Sequence, residues 1–262
     1  MLTFGSIGCG NMGGAIATAL SRAAKDIALS DRSGKGKSLA QQLEITYATN
    51  EIIAQTCDRI FLGVKPHMMK GCLAPLQEVL AQRKPLLITM AAGLTMAQIQ
   101  AFAGCEIPII RIMPNTPVSV GAGLIPYCCN ELVEDSVLQD WLADMTGCGL
   151  LDPLDETLID AASALSGSGP AYMYVFLEAL ADGAVACGLP RAKAMTYAAA
   201  TMAGSAKMLL ESGQHPGALK DAVCSPGGST IAGLRALENK GFRGAAMDCI
   251  VAAYQKNKEL GK

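Results

Sequence analysis

The chain has 262 residues, a formal net charge of −2, 51% hydrophobic residues and 17% charged ones. That length allows one large or two modest domains with a sizeable core, and the mild acidity, with Lys and Arg scattered, argues against nucleic acid as a partner. No run approaches the roughly 20 uninterrupted apolar residues of a membrane span, and the opening lacks the basic stretch of a signal peptide, so a cytoplasmic protein is expected.

Met1 to Ile7 reads as a short buried strand, and Gly8-Cys9-Gly10-Asn11-Met12-Gly13 comes directly after it, before the helical run Gly14 to Leu20. Strand, glycine turn and helix form the context that a dinucleotide fingerprint requires. Gly8 permits the tight turn, Gly10 lets a pyrophosphate meet the backbone at the helix N-terminus, and Gly13 lets the helix lie close on the strand. Further strands are expected at Ile27–Ser30, Ile45–Ala48, Arg59–Val64, Leu86–Ala91 and Pro108–Met113, with helices at Ser38–Leu43, Met68–Leu80 and Met96–Phe102. β-rich runs alternating with helices point to a parallel sheet covered on both faces. Gly121–Cys128 and Leu150-Leu151 are candidate extensions of it.

From about Leu154 the pattern becomes nearly pure helix, rich in Ala and Met, broken at Gly188-Leu189-Pro190 and His215-Pro216-Gly217. The expected organisation is therefore an N-terminal Rossmann-like doubly wound α/β domain, residues 1–154, followed by an all-α domain, residues 155–262. Only 5% of the residues are aromatic while the mean hydropathy is +0.31. The surplus apolar surface is expected in helix-to-helix contacts between subunits, because monomers rarely expose large apolar patches. Ten cysteines and two histidines include no metal-ligand spacing, and buried reduced thiols of a cytosolic protein account best for the cysteines.

Ligands of open α/β sheets bind beyond the carboxyl ends of the strands. Beyond those ends lie the first glycine turn, then Asp31-Arg32-Ser33, Lys65-Pro66, Ala92-Gly93 and Pro114-Asn115-Thr116-Pro117, the last equally readable as a rigid turn. Asp31 suits the ribose hydroxyls of NAD, whereas Arg32 suits the extra phosphate of NADP. Ser33, Lys35 and Lys37 incline the reading to NADP(H). Two more glycine loops, Ser166-Gly167-Ser168-Gly169 and Ser225-Pro226-Gly227-Gly228-Ser229-Thr230, lie in the helical half, and the latter opens a helix. It is either an anion site or an ordinary Ser/Thr cap. Neither loop contains a His, Lys or carboxylate, so removal of a proton by a strong base is poorly served, while reduction of a protonated C=N bond needs mainly positioning and polarisation.

These motifs, with Val64-Lys65-Pro66, Ala91-Ala92-Gly93, Met113-Pro114-Asn115-Thr116-Pro117, Ser166 to Tyr172 and Gly241-Phe242-Arg243, resemble the pyrroline-5-carboxylate reductase family along essentially the whole chain. The resemblance implies reduction of 1-pyrroline-5-carboxylate to L-proline with NADPH, or NADH, at a site formed where the helical domains of two subunits meet. It implies a homodimer as the minimal unit. Carried over by position, Ser225 and the backbone at Gly228, Ser229 and Thr230 hold the substrate carboxylate, and Thr230 hydrogen-bonds the ring nitrogen. The cofactor residues are Gly8, Cys9, Gly10, Asn11, Met12, Gly13, Arg32, Ser33, Asn50, Val64, Lys65, Pro66, Ala92, Gly93, Pro114 and Asn115. Asp31 stands where the family commonly has Asn. The rival readings are another NADP-dependent imine or hydroxy-acid dehydrogenase of the same architecture, and a non-catalytic NADP sensor.

Overall fold

The computed structural model describes residues 4–23 and 26–260, so the first three residues of the expected opening strand lie outside it. The chain separates into two compact units, Met1–Pro170 with Ala253–Lys262, and Ala171–Ala252. Compactness thus draws the division later than the change in sequence character near Leu154. The reason is local: the segment after Leu154 packs with the first unit, where Asp160 O accepts from Asn257 Nδ2 at 3.1 Å.

The first unit alternates strands and helices in chain order: β1 Phe4–Ile7, α1 Asn11–Arg22, β2 Ile27–Ser30, α2 Lys35–Leu43, β3 Thr46–Tyr47, α3 Asn50–Thr56 and β4 Arg59–Leu62. Next come α4 Met69–Leu73, α5 Gln77–Arg83, β5 Leu86–Thr89, α6 Met96–Ala103, β6 Ile109–Ile112, β7 Gly123–Cys129, α7 Asp135–Met145, β8 Gly149–Pro153 and α8 Ile159–Ala162. One sheet results, in the order β3-β2-β1-β4-β5-β6-β7-β8. Every pairing is parallel except that of β6 with β7.

Residues of the central strands β1, β2, β4, β5 and β6 are buried on both faces, while the edge strands β3 and β8 are largely exposed, and the period of two sends alternate side chains of the central strands into different cores. Phe4, Phe61, Leu86 and Ile88 join Ile16 and Leu20 of α1 and Trp141 of α7 on one face. Ile7, Ile60, Leu62 and Leu87 join Ile53 of α3, Leu73 of α4 and Ile99 of α6 on the other. The helix expected over Met68–Leu80 is instead interrupted by a 3-10 turn at Ala74–Leu76, because Pro75 has no N–H to continue the ladder. The glycine loop expected at Ser166–Gly169 is not a loop. Ser163–Gly167 forms a π-helical turn joining α8 to α9, Gly169–Ala186, with Ser168 N donating to Ser163 O at 3.1 Å. Ser163, Ala164 and Ser166 are buried there, so tertiary packing overrides the loop-like composition.

The second unit contains the body of α9, then α10 Arg191–Ser212, α11 Pro216–Ala222, α12 Ser229–Asn239 and the greater part of α13, Phe242–Leu260. Both expected breaks are present, with Gly188 and Gly213 in the left-handed region and Pro216 opening α11. His215 caps α11, its Nδ1 accepting from Gly217 N at 3.0 Å. Within one chain, Ala181 and Ala194 are the buried apolar residues of this unit among those described. Tyr174, Val175, Met208, Leu210 and Met247 stand exposed. An apolar cavity of about 550 Å³, lined by Phe176, Leu180, Met202, Met208 and Leu209, opens among its helices. No helix among the described residues is long and apolar enough to cross a membrane.

Candidate active site

The turn after β1 is built from glycines that have no room for a side chain and one that does. Gly8 sits at φ +98°, and a Cβ on Gly13 would lie 2.2 Å from Gly8 O, so α1 is held directly against the end of β1. Gly63, at the end of β4, closes the same contact: its Cβ would lie 2.5 Å from Gly8 O, and its N–H donates to Ile7 O at 2.8 Å. Gly63 was not legible as a site residue, although a glycine directly after a buried strand and beside Val64-Lys65-Pro66 was the available signal. Gly10 differs, since nothing lies within 4 Å of the Cβ it lacks. It is also the N-cap of α1, which has no side-chain cap and no acidic residue in its first turn. Orphan N–H groups, the positive end of the helix dipole and open space at Gly10 together fit a pyrophosphate.

After β2, Asp31 turns back into its own loop. Its Oδ2 accepts from Ser33 Oγ at 2.6 Å and from Gly36 N at 3.1 Å, while Tyr47 Oη donates to Asp31 O at 2.7 Å. Burial pushes this carboxyl upward, but the Ser33 hydroxyl and the Gly36, Ser33 and Arg32 amides outweigh it and hold it below its ordinary value. Arg32, Ser33, Lys35 and Lys37 are exposed around it. Cys9 is buried beneath the loop, and burial, aided by the Asp31 charge, raises its thiol to about 12. Asn50, the first residue of α3, accepts from Ser30 Oγ and directs its Nδ2 at Cys72 Sγ, 3.8 Å away.

The remaining strand ends are arranged around the same carboxyl edge. Lys65 is exposed and begins the 3-10 turn Pro66–Met68, and Val64 is half-buried. Gly93 takes φ +74° after Ala92. Pro114 is buried, and the Asn115 carboxamide is committed to the fold, its Oδ1 accepting from Leu124 N at 2.9 Å. Further back on β6, Arg111 is buried and clamps Glu156 at 3.2 Å and Asp160 at 3.1 Å, tying the sheet to the segment that leads into α8. Nothing in the local sequence distinguished this arginine from the apolar run around it.

In the second unit, Ser225-Pro226-Gly227-Gly228 makes a turn closed by Gly228 N donating to Ser225 O at 3.0 Å, with Gly227 at φ +69°. That geometry needs a positive φ at the third residue, which Gly227 supplies, and Pro226 favours it by fixing φ at the second. Gly228, not Ser229 or Thr230, is the N-cap of α12, and it has no side-chain cap. Ser229 and Thr230 are the first two helical residues and both are exposed. The reading of the motif as an ordinary hydroxyl cap therefore does not describe this helix. Nearby charges are spent on one another, Lys220 with Asp221 and Arg243 with Glu238.

A doubly wound sheet whose first turn offers an uncapped helix start to a pyrophosphate defines the class of dinucleotide-dependent oxidoreductases. Residues 3–93 match the family described as NADP oxidoreductase, coenzyme F420-dependent, and residues 156–260 match pyrroline-5-carboxylate reductase dimerisation. The pyrroline-5-carboxylate reductase of Escherichia coli (strain K12) is 40% identical over 98% of this chain and 98% of its own, and that of Pisum sativum 39% identical over 98% and 96%. The crystal structure of the Plasmodium falciparum pyrroline carboxylate reductase with NADP bound superposes with a TM-score of 0.90 at 33% identity, covering 100% of this chain and 98% of that one. The chain belongs to the pyrroline-5-carboxylate reductase family, and so to the NAD(P)H-dependent reductases.

Proposed function

We propose that this chain reduces 1-pyrroline-5-carboxylate to L-proline, the last step of proline biosynthesis, with NADPH as the preferred reductant. The observation that carries the substrate assignment is the start of α12, an uncapped helix N-terminus with no acidic residue in its first turn and two exposed hydroxyls on it. The N–H groups at Gly228, Ser229 and Thr230, with Ser225 Oγ, hold the substrate carboxylate. Thr230 Oγ1 holds the ring nitrogen by a hydrogen bond and so fixes the orientation of the C=N bond. No base is required of the loop, because hydride addition to the carbon of an already protonated C=N bond gives the ring amine directly and removes no proton from the substrate.

When bound, the reduced nicotinamide supplies the hydride. The residues that hold the dinucleotide are the Gly8–Gly13 turn at its pyrophosphate, Arg32 at the adenosine end with Ser33 beside it bonded to Asp31, and Val64, Lys65, Pro66, Ala92, Gly93 and Pro114 along the strand ends. Asn50 and Asn115, whose carboxamides already bind Ser30 and Leu124, act by fixing their loops in place. A homodimer is the minimal unit, supported by the apolar residues that the helical unit leaves exposed within one chain. Ten unpaired thiols suit the reducing cytosol.

The test is an assay of the purified protein with varied 1-pyrroline-5-carboxylate and either NADPH or NADH, run beside a 2-hydroxy acid with NADP. Oxidation of NADPH dependent on the cyclic imine is expected. Turnover of the hydroxy acid without turnover of the imine overturns the assignment.

A further inference from the structure

We propose that the Ser33 hydroxyl sets the cofactor preference by holding the Asp31 carboxylate inside the β2–α2 loop, away from the adenosine ribose. The inference rests on the cofactor placement proposed above. An acidic side chain at the end of the second strand of such a sheet normally accepts from the ribose hydroxyls, an arrangement that favours NADH and repels a 2′-phosphate. Asp31 occupies that position but spends Oδ2 on Ser33 Oγ and on the amide of Gly36, the second residue of α2.

The carboxylate thereby supplies the cap that α2 lacks. The formal N-cap, Gly34, has no side chain and lies at φ +79°. A negative group on the first turn of a helix is stabilised there by the orphan N–H groups and the dipole. The fit is close, since a Cβ on Gly36 would lie 2.7 Å from Asp31 Cβ and 3.0 Å from Cys9 Sγ. Tyr47 pins the main chain of the same residue through its carbonyl. With the carboxylate drawn down, Arg32, Lys35 and Lys37 remain exposed and make no ion pair among the described residues, a set of charges suited to a phosphate. Ser33 is the switchable member, because the Gly36 amide belongs to the backbone and the hydroxyl does not.

Removing the hydroxyl leaves the Asp31 carboxylate only backbone amides, that of Gly36 foremost, and frees acceptor capacity for the ribose. The experiment measures dissociation constants for NADPH and NADH by fluorescence titration of the folded protein, for the parent, Ser33→Ala, Asp31→Asn and the double variant. Ser33→Ala is expected to weaken NADPH by about tenfold and to tighten NADH by a few-fold, the size of one charge-assisted hydrogen bond gained or lost. In the Asp31→Asn background the same substitution no longer tightens NADH. If Ser33→Ala weakens NADPH equally in both backgrounds and leaves NADH unmoved, Ser33 is a direct phosphate contact and the proposal fails. Gly10→Val separates the two levels. Should it abolish binding of both cofactors while Ser33→Ala alters neither, the placement stands and the Ser33 role falls; should it bind both as tightly as the parent, the placement falls and the proposal with it.

Discussion

The sheet unit and the helical unit dispose of their apolar residues in opposite ways. In the first, the central strands β1, β2, β4, β5 and β6 are sandwiched, and large side chains such as Phe61, Leu62 and Trp141 are fully buried within a single chain. In the second, long Ala- and Met-rich helices bury little beyond Ala181 and Ala194, while Val175, Met208 and Leu210 face outward. On the reading proposed above, cofactor binding falls to a unit with its own complete core, and substrate binding to one whose core another copy of the chain would complete.

Met208→Asp attacks the incomplete side of that comparison and has the largest expected effect. Burying an unpaired carboxylate in an interface costs several kcal/mol and symmetry imposes it twice, so light scattering at assay concentration should show monomer and turnover should be lost. An unchanged oligomer, or a fully active monomer, breaks the comparison. Phe61→Ala attacks the complete side. Phe61 stacks on Phe4 with ring centroids 5.9 Å apart, and its truncation should cost about 3–5 kcal/mol. The loss measured by denaturant should persist over a dilution series in which the oligomer stays intact.

Within the helical unit, Thr230→Val should preserve the fold and NADPH affinity while lowering catalytic efficiency by roughly ten- to a hundredfold, the equivalent of one hydrogen bond worth about 1–3 kcal/mol. Ser225→Ala should mainly raise the KM for 1-pyrroline-5-carboxylate, because carboxylate binding is common to ground and transition states. Near-parental efficiency in Thr230→Val would reduce the motif to a turn. The smallest effect belongs to the sheet unit and is read through pH. Asp31 has a depressed folded pKa, so the stability it lends its loop is present above the ordinary carboxylate range and is lost as pH falls through the depressed value. Asp31→Asn should flatten that acid limb, measured as the thermal midpoint between about pH 5 and pH 2.

Strand positions were legible because β-rich runs between helical patterns leave few alternatives, and the Gly8–Gly13 turn was legible because three glycines at fixed spacing come after the first of them. The antiparallel course of β7 was not, since a strand's direction depends on its connection and is not written in its own residues. Ser166–Gly169 misled for a related reason: its composition favours a loop in isolation, and only the burial of Ser163 and Ser166 makes it a π-helical turn. At the site, the conflict between Asp31 and Arg32 could not be resolved from residue types. It turns on which donors reach one carboxylate oxygen, a matter of about an ångström.

The burial of Cys9 bears on how the protein meets oxidants and alkylating agents. Burial, aided by the Asp31 charge, pushes this thiol far up, which suppresses the thiolate at neutral pH, and thiolate is the species that peroxides and electrophiles attack. Cys9 lies in the turn assigned to the cofactor, yet it is chemically silent there, while Cys187 is exposed on the helical unit. Mild alkylation of the native protein should therefore mark Cys187 and spare the dinucleotide turn.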